Sequence, residues 1–570
     1  MPFFLRRRDL IFLSIHLSDH CNMTRLSVLA ITAVAVAAAT PAFSSASNTS
    51  TTCNHALRPT ATIDTGVVAG TITAVPLSDV NVTMYLGIPF AQRPVRFLPP
   101  RPALAWESIY DASEYKPSCH QMFRGTGEER EQRIRQFNTP PPSAGESEDC
   151  LNLNIYAPAD AEPGSKAVLF WIYGGAFDFG ANSLPLYDGA GLAAHENVVL
   201  VTINYRINLF GFPGSPELAI GAKNLGFLDQ RLALDWVRRN IAVFGGDPDR
   251  ITLFGESAGA TSIDALLTAP PNPLPFQAAI LQSSQSSVML STHNGSINAW
   301  LRLVEHFDCA CDDALNCMRA VPARELVEAA GILDLAFEPE SDGGITYADN
   351  LRERRLNSDE APEVFARVPV LVGTNSGEGR FANLRNLTID DVLATVGGGV
   401  DLPQELVEAI HALYAIGTPG IENEYDQVAT LLTEFVAQCP MRFFSDDSVS
   451  VGIDTWRYFF DASFSNSEIF PGSGAYHSAE IQLVFGTYQQ ENATEYQREV
   501  SRAMQKAWAD FAKDPSAGPG WDQVPNVAVI GGGVRAGDDV PEGLGVIMSV
   551  DADVVDARCA LFAPIYNASI

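Results

Sequence analysis

The stretch Ile251-Thr252-Leu253-Phe254-Gly255-Glu256-Ser257-Ala258-Gly259 decides the reading of this chain. Its first four residues are a short run of the kind that forms a strand buried on both faces. The next five spell G-x-S-x-G. In that pattern the serine sits on a tight strand-to-helix turn with its Oγ projecting off the sheet, and glycine on each flank lets neighbouring backbone pass without a Cβ clash. Beyond Gly259, the residues Ala260, Ile263, Leu266 and Leu267 fall on one face at helical spacing. The bare pattern arises readily by chance in a chain with 44 glycines; the strand before it and the helix after it give it weight.

Working outward, similar apolar runs occupy residues 167–172, 198–203, 278–281 and 368–372. Between them lie helical patterns, such as Ala233, Trp236, Val237, Ile241 and Phe244 on one face. Strands alternating with helices predict an α/β chain: a large, mostly parallel central sheet with helices on both faces. There is no internal repeat. The most loop-like stretch, 138–145, carries three successive prolines, and no linker divides the chain. One large domain over 43–570 is therefore expected, although 570 residues would allow several.

Chemistry collects where the strands end. Run 167–172 leads into Tyr173-Gly174-Gly175-Ala176-Phe177, and run 368–372 into Gly373-Thr374-Asn375-Ser376-Gly377-Glu378-Gly379. Active sites of open α/β sheets form at such strand ends. An activated serine needs a base, and the base needs an acid to orient it, in the chain order Ser, Asp/Glu, His on this kind of sheet. Only His411 and His477 lie beyond Glu378. His411 sits in a helical pattern over 403–415, whereas His477 lies in a Gly/Ser-rich loop, 472–478, after the strand-like run 456–460. For the acid, Glu378 is favoured by its place between glycines at a strand end. Asp390 and Asp391 are the alternatives, and they read as the capped start of a helix. The oxyanion of such a reaction needs preorganised N–H donors. One is expected from Ala258, after the nucleophile, and others from the first Gly-rich turn.

Composition bounds the rest. With 37 Lys+Arg against 68 Asp+Glu, the formal charge is −31. That repels phosphate backbones and disfavours docking on anionic lipid, so nucleic-acid binding is not expected. No segment after residue 42 has 18 uninterrupted apolar residues, so stable membrane insertion is not expected either. Thr24 and Arg25 lead into an apolar run from Leu26 to Ala39, then small residues to Ala42. This is the pattern of a secretory signal cleaved near Ala42, and the run is too short to span a bilayer of ~30 Å. Met23 stands where such a signal begins, so residues 1–42 read as an N-terminal extension plus signal peptide, with translation expected to start at Met23. Removing 1–42 takes out four Arg and two Asp, which moves the charge to −33, and removes Cys21, which leaves eight of nine cysteines. An even count suits an oxidising compartment. Glycosylation sequons stand at Asn48, Asn81, Asn294, Asn386, Asn492 and Asn567. A secreted, extracellular glycoprotein is expected.

At this point the chain resembles the type-B carboxylesterase family, an α/β-hydrolase family that contains fungal lipases, sterol esterases and cholinesterases. The resemblance rests on Tyr85-Leu86-Gly87-Ile88-Pro89-Phe90-Ala91 with Arg96-Phe97, and on Ser147-Glu148-Asp149-Cys150-Leu151 with Leu153-Asn154. It continues through Asp229-Gln230, Trp236-Val237, Asn240-Ile241 and Phe244-Gly245-Gly246-Asp247-Pro248 to the serine turn, and through the segment 474–486. It implies a serine carboxylic-ester hydrolase with Ser257 as nucleophile, Glu378 as acid and His477 as base, working through an acyl-enzyme without metal or cofactor. The implied oxyanion donors are Gly175, Ala176 and Ala258. Ala176 departs from the family's usual glycine; its N–H survives, and its methyl is expected to narrow the site. Arg96 and Glu148 are implied to form a buried structural ion pair.

The resemblance also implies a Cys119–Cys150 disulfide whose loop is the lid over the site, and a pairing of Cys309 or Cys311 with Cys317. The partners of Cys53, Cys439 and Cys559 stay open. The lid stretch, Glu128-Glu129-Arg130-Glu131-Gln132-Arg133 with Ile134 and Phe137, has a charged face and few apolar residues. A lipase lid needs a broad apolar face to meet an oil interface. Small or medium soluble esters are therefore the expected substrates, ahead of a lipase or sterol esterase acting on lipid esters. The loop has no Trp to bind choline, which argues against a cholinesterase. A non-catalytic adhesion protein of the same family is disfavoured because the serine is present. Phe177, Phe179 and Phe381 read equally well as lining of the substrate site or as core packing. The natural ester and the oligomeric state are not legible.

Overall fold

The apolar runs pair side by side because each is apolar on both faces and needs cover from both. In spatial order the large sheet of the computed structural model runs Ile547–Asp551, Asn526–Val534, Thr455–Ala462, Val370–Asn375, Ala278–Gln282, Gly246–Glu256, Lys166–Ile172, Val199–Ile203, Asn152–Pro158, Val82–Pro89 and Thr71–Thr73. From Asn526–Val534 to Val199–Ile203 every pairing is parallel; the flanking pairings are antiparallel. The structure describes residues 58–287, 295–310, 313–361, 363–381, 384, 387–396 and 402–567. The expected leader, Met23, Asn48, Cys53, Asn294, Cys311 and Asn386 lie outside them.

Val168 to Ile172 and Val199 to Val201 are fully buried. Each such side chain contributes about 1.5–3 kcal/mol on leaving water. The helix Leu225–Asn240 and the short turn Ile241–Phe244 press Ala233, Trp236, Val237, Ile241 and Phe244 inward, as their spacing predicts. A smaller sheet pairs Thr60–Ile63, Gly66–Ala69 and Tyr110–Asp111. The family resemblance and the architecture agree: this is an α/β-hydrolase sheet.

Register positions the site. Ile172 lies beside Gly255, Gln282 beside Glu256, and Gln282 beside Gly373. Three Gly-rich turns therefore leave the sheet at nearly the same height. The elbow helix Ala258–Thr268 is tied down by Asp264, which accepts from the N–H groups of Ser286 and Ser287 at 2.8 and 2.7 Å and pairs with fully buried Arg355. Every oxygen of that carboxylate is partnered, as a buried charge requires. Among the described residues there are three disulfides, Cys119–Cys150, Cys309–Cys317 and Cys439–Cys559. The second selects Cys309 over Cys311, and the third joins residues 120 positions apart. No helix among the described residues is long and apolar enough to cross a membrane.

Candidate active site

Ser257 sits between strand Gly246–Glu256 and helix Ala258–Thr268 with φ 56° and ψ −124°. A non-glycine residue at positive φ costs of order 1–3 kcal/mol and persists only where its surroundings hold it. Here Ser257 N–H donates to Gln282 O at 2.9 Å, and Thr261 N–H donates to Ser257 O at 2.9 Å. The flanking glycines are needed for close approach: a Cβ on Gly255 or Gly259 would lie 2.6 or 2.0 Å from Ile172 O.

The turn after strand Val370–Asn375 and the loop bearing His477 are joined. Gly377 bridges Tyr476, with its N–H on Ala475 O at 3.0 Å, and Asn375 Nδ2 donates to Tyr476 O at 2.9 Å. This brings His477 Nδ1 to 2.6 Å from Glu378 Oε2, while Glu378 Oε1 accepts from Asn375 N–H at 2.7 Å. His477 Nε2 lies 3.1 Å from Glu256 Oε1, which also accepts from Ser478 Oγ at 2.7 Å. Among the described residues the Ser257 hydroxyl makes no hydrogen bond; contacts of this kind are often long before substrate binds.

Burial pushes the His477 imidazole down, but Glu256 and Glu378 outweigh it and hold it up, to about 9. Burial, then Glu256 and Glu378, push nearby Glu480 up to about 8. Glu480 takes hydrogen bonds from Gln282 Nε2 at 2.9 Å and Asn375 Nδ2 at 2.6 Å. The alternatives weighed from sequence lie elsewhere. His411 is on helix Gln404–Leu413 with Nε2 2.9 Å from Asp390, and Asp390 and Asp391 open helix Ile389–Val396, where Thr388 and Asp391 exchange capping bonds.

The first Gly-rich turn runs at positive φ through three residues, 108° at Gly175, where glycine allows it freely, and 55° at Ala176 and 60° at Phe177, where a side chain makes it strained. It is fastened from outside. Asn208 N–H donates to Phe177 O at 2.5 Å, Met122 N–H to Asp178 O at 2.9 Å, and Gln121 exchanges two bonds with Gly180. Arg124 Nε holds Asp178 at 2.6 Å; burial still pushes that carboxyl up to about 6 against the guanidinium. The amides of Gly175, Ala176 and Ala258 donate no hydrogen bond among the described residues. They are oriented donors with capacity left, and Ala258 also opens a helix, where the backbone dipole favours negative charge.

Ser257, His477, Glu378, Gly175 and Ala176 all border one cavity of about 410 Å³. Phe179 and Phe381 line it. Phe177 does not: it packs edge-on against Phe212 and Phe227 in the core. Helix Gly127–Phe137, between the cysteines of the Cys119–Cys150 bridge, covers part of the cavity, and its Phe137 stacks on Phe179 with centroids 5.2 Å apart.

The profile of the carboxylesterase family matches residues 58–527. The chain belongs to that family. This carboxylesterase is 33% identical to the acetylcholinesterase of Bungarus fasciatus over 484 residues, which covers 79% of this chain and 77% of that protein. It is 32% identical over 515 residues to the acetylcholinesterase of Electrophorus electricus, and 32% identical over 490 residues to the cholinesterase of Mus musculus; each alignment covers 79% of this chain and 78% of the relative. It is a carboxylic ester hydrolase.

In this carboxylesterase Arg96 forks onto Glu148 at 2.8 and 2.7 Å and also donates to Met318 O and Val321 O, so the pair ties the N-terminal part to residues 318–321. Glu148 is half-buried rather than enclosed. Glu256 and Glu480 were not singled out from sequence, although one is the variable residue of G-x-S-x-G and the other stands three residues after His477. Nor were Leu432 and Val436 of the cavity wall, whose spacing reads as an ordinary helix face.

Proposed function

We propose that this carboxylesterase hydrolyses small or medium soluble esters by way of an acyl-enzyme on Ser257. His477 accepts the Ser257 proton through Nε2 as the hydroxyl attacks the ester carbonyl. The carbonyl oxygen, now negative, rests on the amides of Gly175, Ala176 and Ala258. His477 then gives its proton to the departing alcohol, and water, activated the same way, releases the acid. Glu378 keeps the proton on Nδ1, so that Nε2 is the basic nitrogen, and stabilises the imidazolium that forms. The observation that carries this reading is the 2.6 Å contact of Glu378 and His477 in one cavity with a serine held at φ 56°.

The lid supports soluble esters. Glu131 and Arg135 face solvent on helix Gly127–Phe137, and its Phe137 is spent inside on Phe179. No Trp lines the cavity among the described residues, which favours neutral over choline-type esters. The leader-like N-terminus, three disulfides and the exposed sequons Asn81 and Asn492 support a secreted glycoprotein, with 43–570 as its catalytic domain. The test is Ser257→Ala. It should be exported as the wild type is and release no p-nitrophenol from p-nitrophenyl acetate. Retained turnover would overturn the mechanism, and retention in the cell would overturn the compartment.

A further inference from the structure

One wall of the cavity is made by a helix that changes its own pitch. A continuous helical run is α-helical over Glu424–Leu432, π-helical over Thr433–Gln438 and α-helical again over Cys439–Ser450. The cause is in the sequence. Pro440 has no N–H to give to Val436 O, and in a regular α-helix its ring would press on that carbonyl. Widening the preceding turn relieves the clash, and such turns gather at functional sites.

The widened turn has an inner and an outer side. Inside, Leu432, Val436 and Ala437 line the cavity with Leu384 and Phe381. Outside, the turn is gripped by the C-terminal segment. Glu434 pairs with Arg558 and accepts from Tyr414 Oη at 2.5 Å. Tyr566 Oη donates to Phe435 O, and Gln438 Nε2 donates to Val555 O at 2.5 Å and to Asp556 at 3.0 Å. The Cys439–Cys559 disulfide closes the grip. The turn also reaches the reacting groups: Thr433 Oγ1 accepts from Gly379 N–H, next to Glu378, at 2.9 Å. A Cβ on Gly379 would lie 2.3 Å from Ala429 O, so acid turn and helix are in direct contact.

We propose that this turn is the specificity element of the enzyme: its aliphatic inner face takes an unbranched alkyl arm of the ester, and the C-terminal segment fixes how deep that arm can go. The inference rests on the ester-hydrolase reading of the cavity. Leu384, Leu432, Val436 and Ala437, with the ring of Phe381, give this wall an aliphatic face, so a flexible alkyl chain fits its chemistry better than an ammonium group.

The experiment compares kcat/KM on p-nitrophenyl acetate and p-nitrophenyl octanoate. Val436→Phe fills the wall and should lower the octanoate-to-acetate ratio about tenfold or more, mainly through KM; Val436→Ala should raise it. Tyr566→Phe, which frees Phe435 O from outside, should shift the ratio by a smaller factor. A ratio unchanged in both Val436 variants overturns the proposal, and a ratio unchanged in Tyr566→Phe alone overturns the role of the C-terminal grip. If Val436→Phe does not fold, Val436→Ala still decides. The wild type separates this from the underlying reading: if it hydrolyses neither ester, the ester-hydrolase reading has failed; if it hydrolyses acetate and Ser257→Ala does not, only the wall is at issue.

Discussion

The two sides of the cavity are built in opposite ways. On one side, the proposed reacting groups stand on short turns that leave neighbouring strands of the sheet at the same height, each held by hydrogen bonds to the backbone: Ser257, the Gly174–Gly175–Ala176 turn and Glu378. On the other, a wall of Leu432, Val436 and Ala437 comes from a helix whose pitch is set by Pro440 and whose back is held by residues more than 100 positions further on. Strand-end turns suit catalysis because the sheet fixes their spacing to fractions of an ångström. A helix face suits selection because one side chain can change its volume without moving the backbone. Substitutions on the first side should therefore act on kcat, and substitutions on the second on the choice of ester.

The sharpest way to break that contrast is Glu378→Gln. Oε1 accepts from Asn375 N–H, so the amide nitrogen of Gln must take the place of Oε2 and donate to His477 Nδ1. That forces the imidazole proton onto Nε2, which then accepts nothing from Ser257. A fall of roughly 10⁴ in kcat is expected with KM nearly unchanged. Steady-state kinetics on p-nitrophenyl acetate measure it, and a fall confined to KM would dissolve the distinction between the two sides. The Val436 pair ranks second, with its expected effect of about tenfold on a substrate ratio.

The smallest effect sharpens the first side. Glu256 and Glu378 together hold His477 up to about 9 against burial. In the proposed mechanism the neutral imidazole is the base, so kcat/KM should rise with pH toward that value. Glu256→Gln removes one of the two supporting carboxylates and lowers the His477 pKa, so the acid limb of the profile should move to lower pH. A limb that stays in place would show that the contact between His477 Nε2 and Glu256 at 3.1 Å does not govern the base.

The first side was legible in the sequence, and the second was not. Runs such as 167–172 and 278–281 are apolar without interruption because they are covered on both faces, and the turns after them carry glycines where a Cβ would strike a neighbouring strand. The outermost strand, Ile547–Asp551, is mostly exposed and has no such run, so no strand was expected there. A side chain that faces a cavity looks the same in sequence as one that faces the core: Phe179 and Phe381 line the site, Phe177 packs in the interior, and nothing in their spacing separates them. The same holds for Val436. The Cys439–Cys559 bridge spans 120 residues, and only tertiary structure brings its ends to a Cα separation of 5.1 Å.

The account stands or falls on Ser257 being the activated nucleophile. An organophosphonate ester incubated with the purified enzyme, followed by peptide mass mapping, tests this most directly. One adduct per chain is expected, on the peptide that contains Ser257, with esterase activity lost in proportion and labelling much slower in Glu378→Gln. Full inactivation with the adduct on another residue, or an enzyme that turns over esters yet never labels at Ser257, would contradict it.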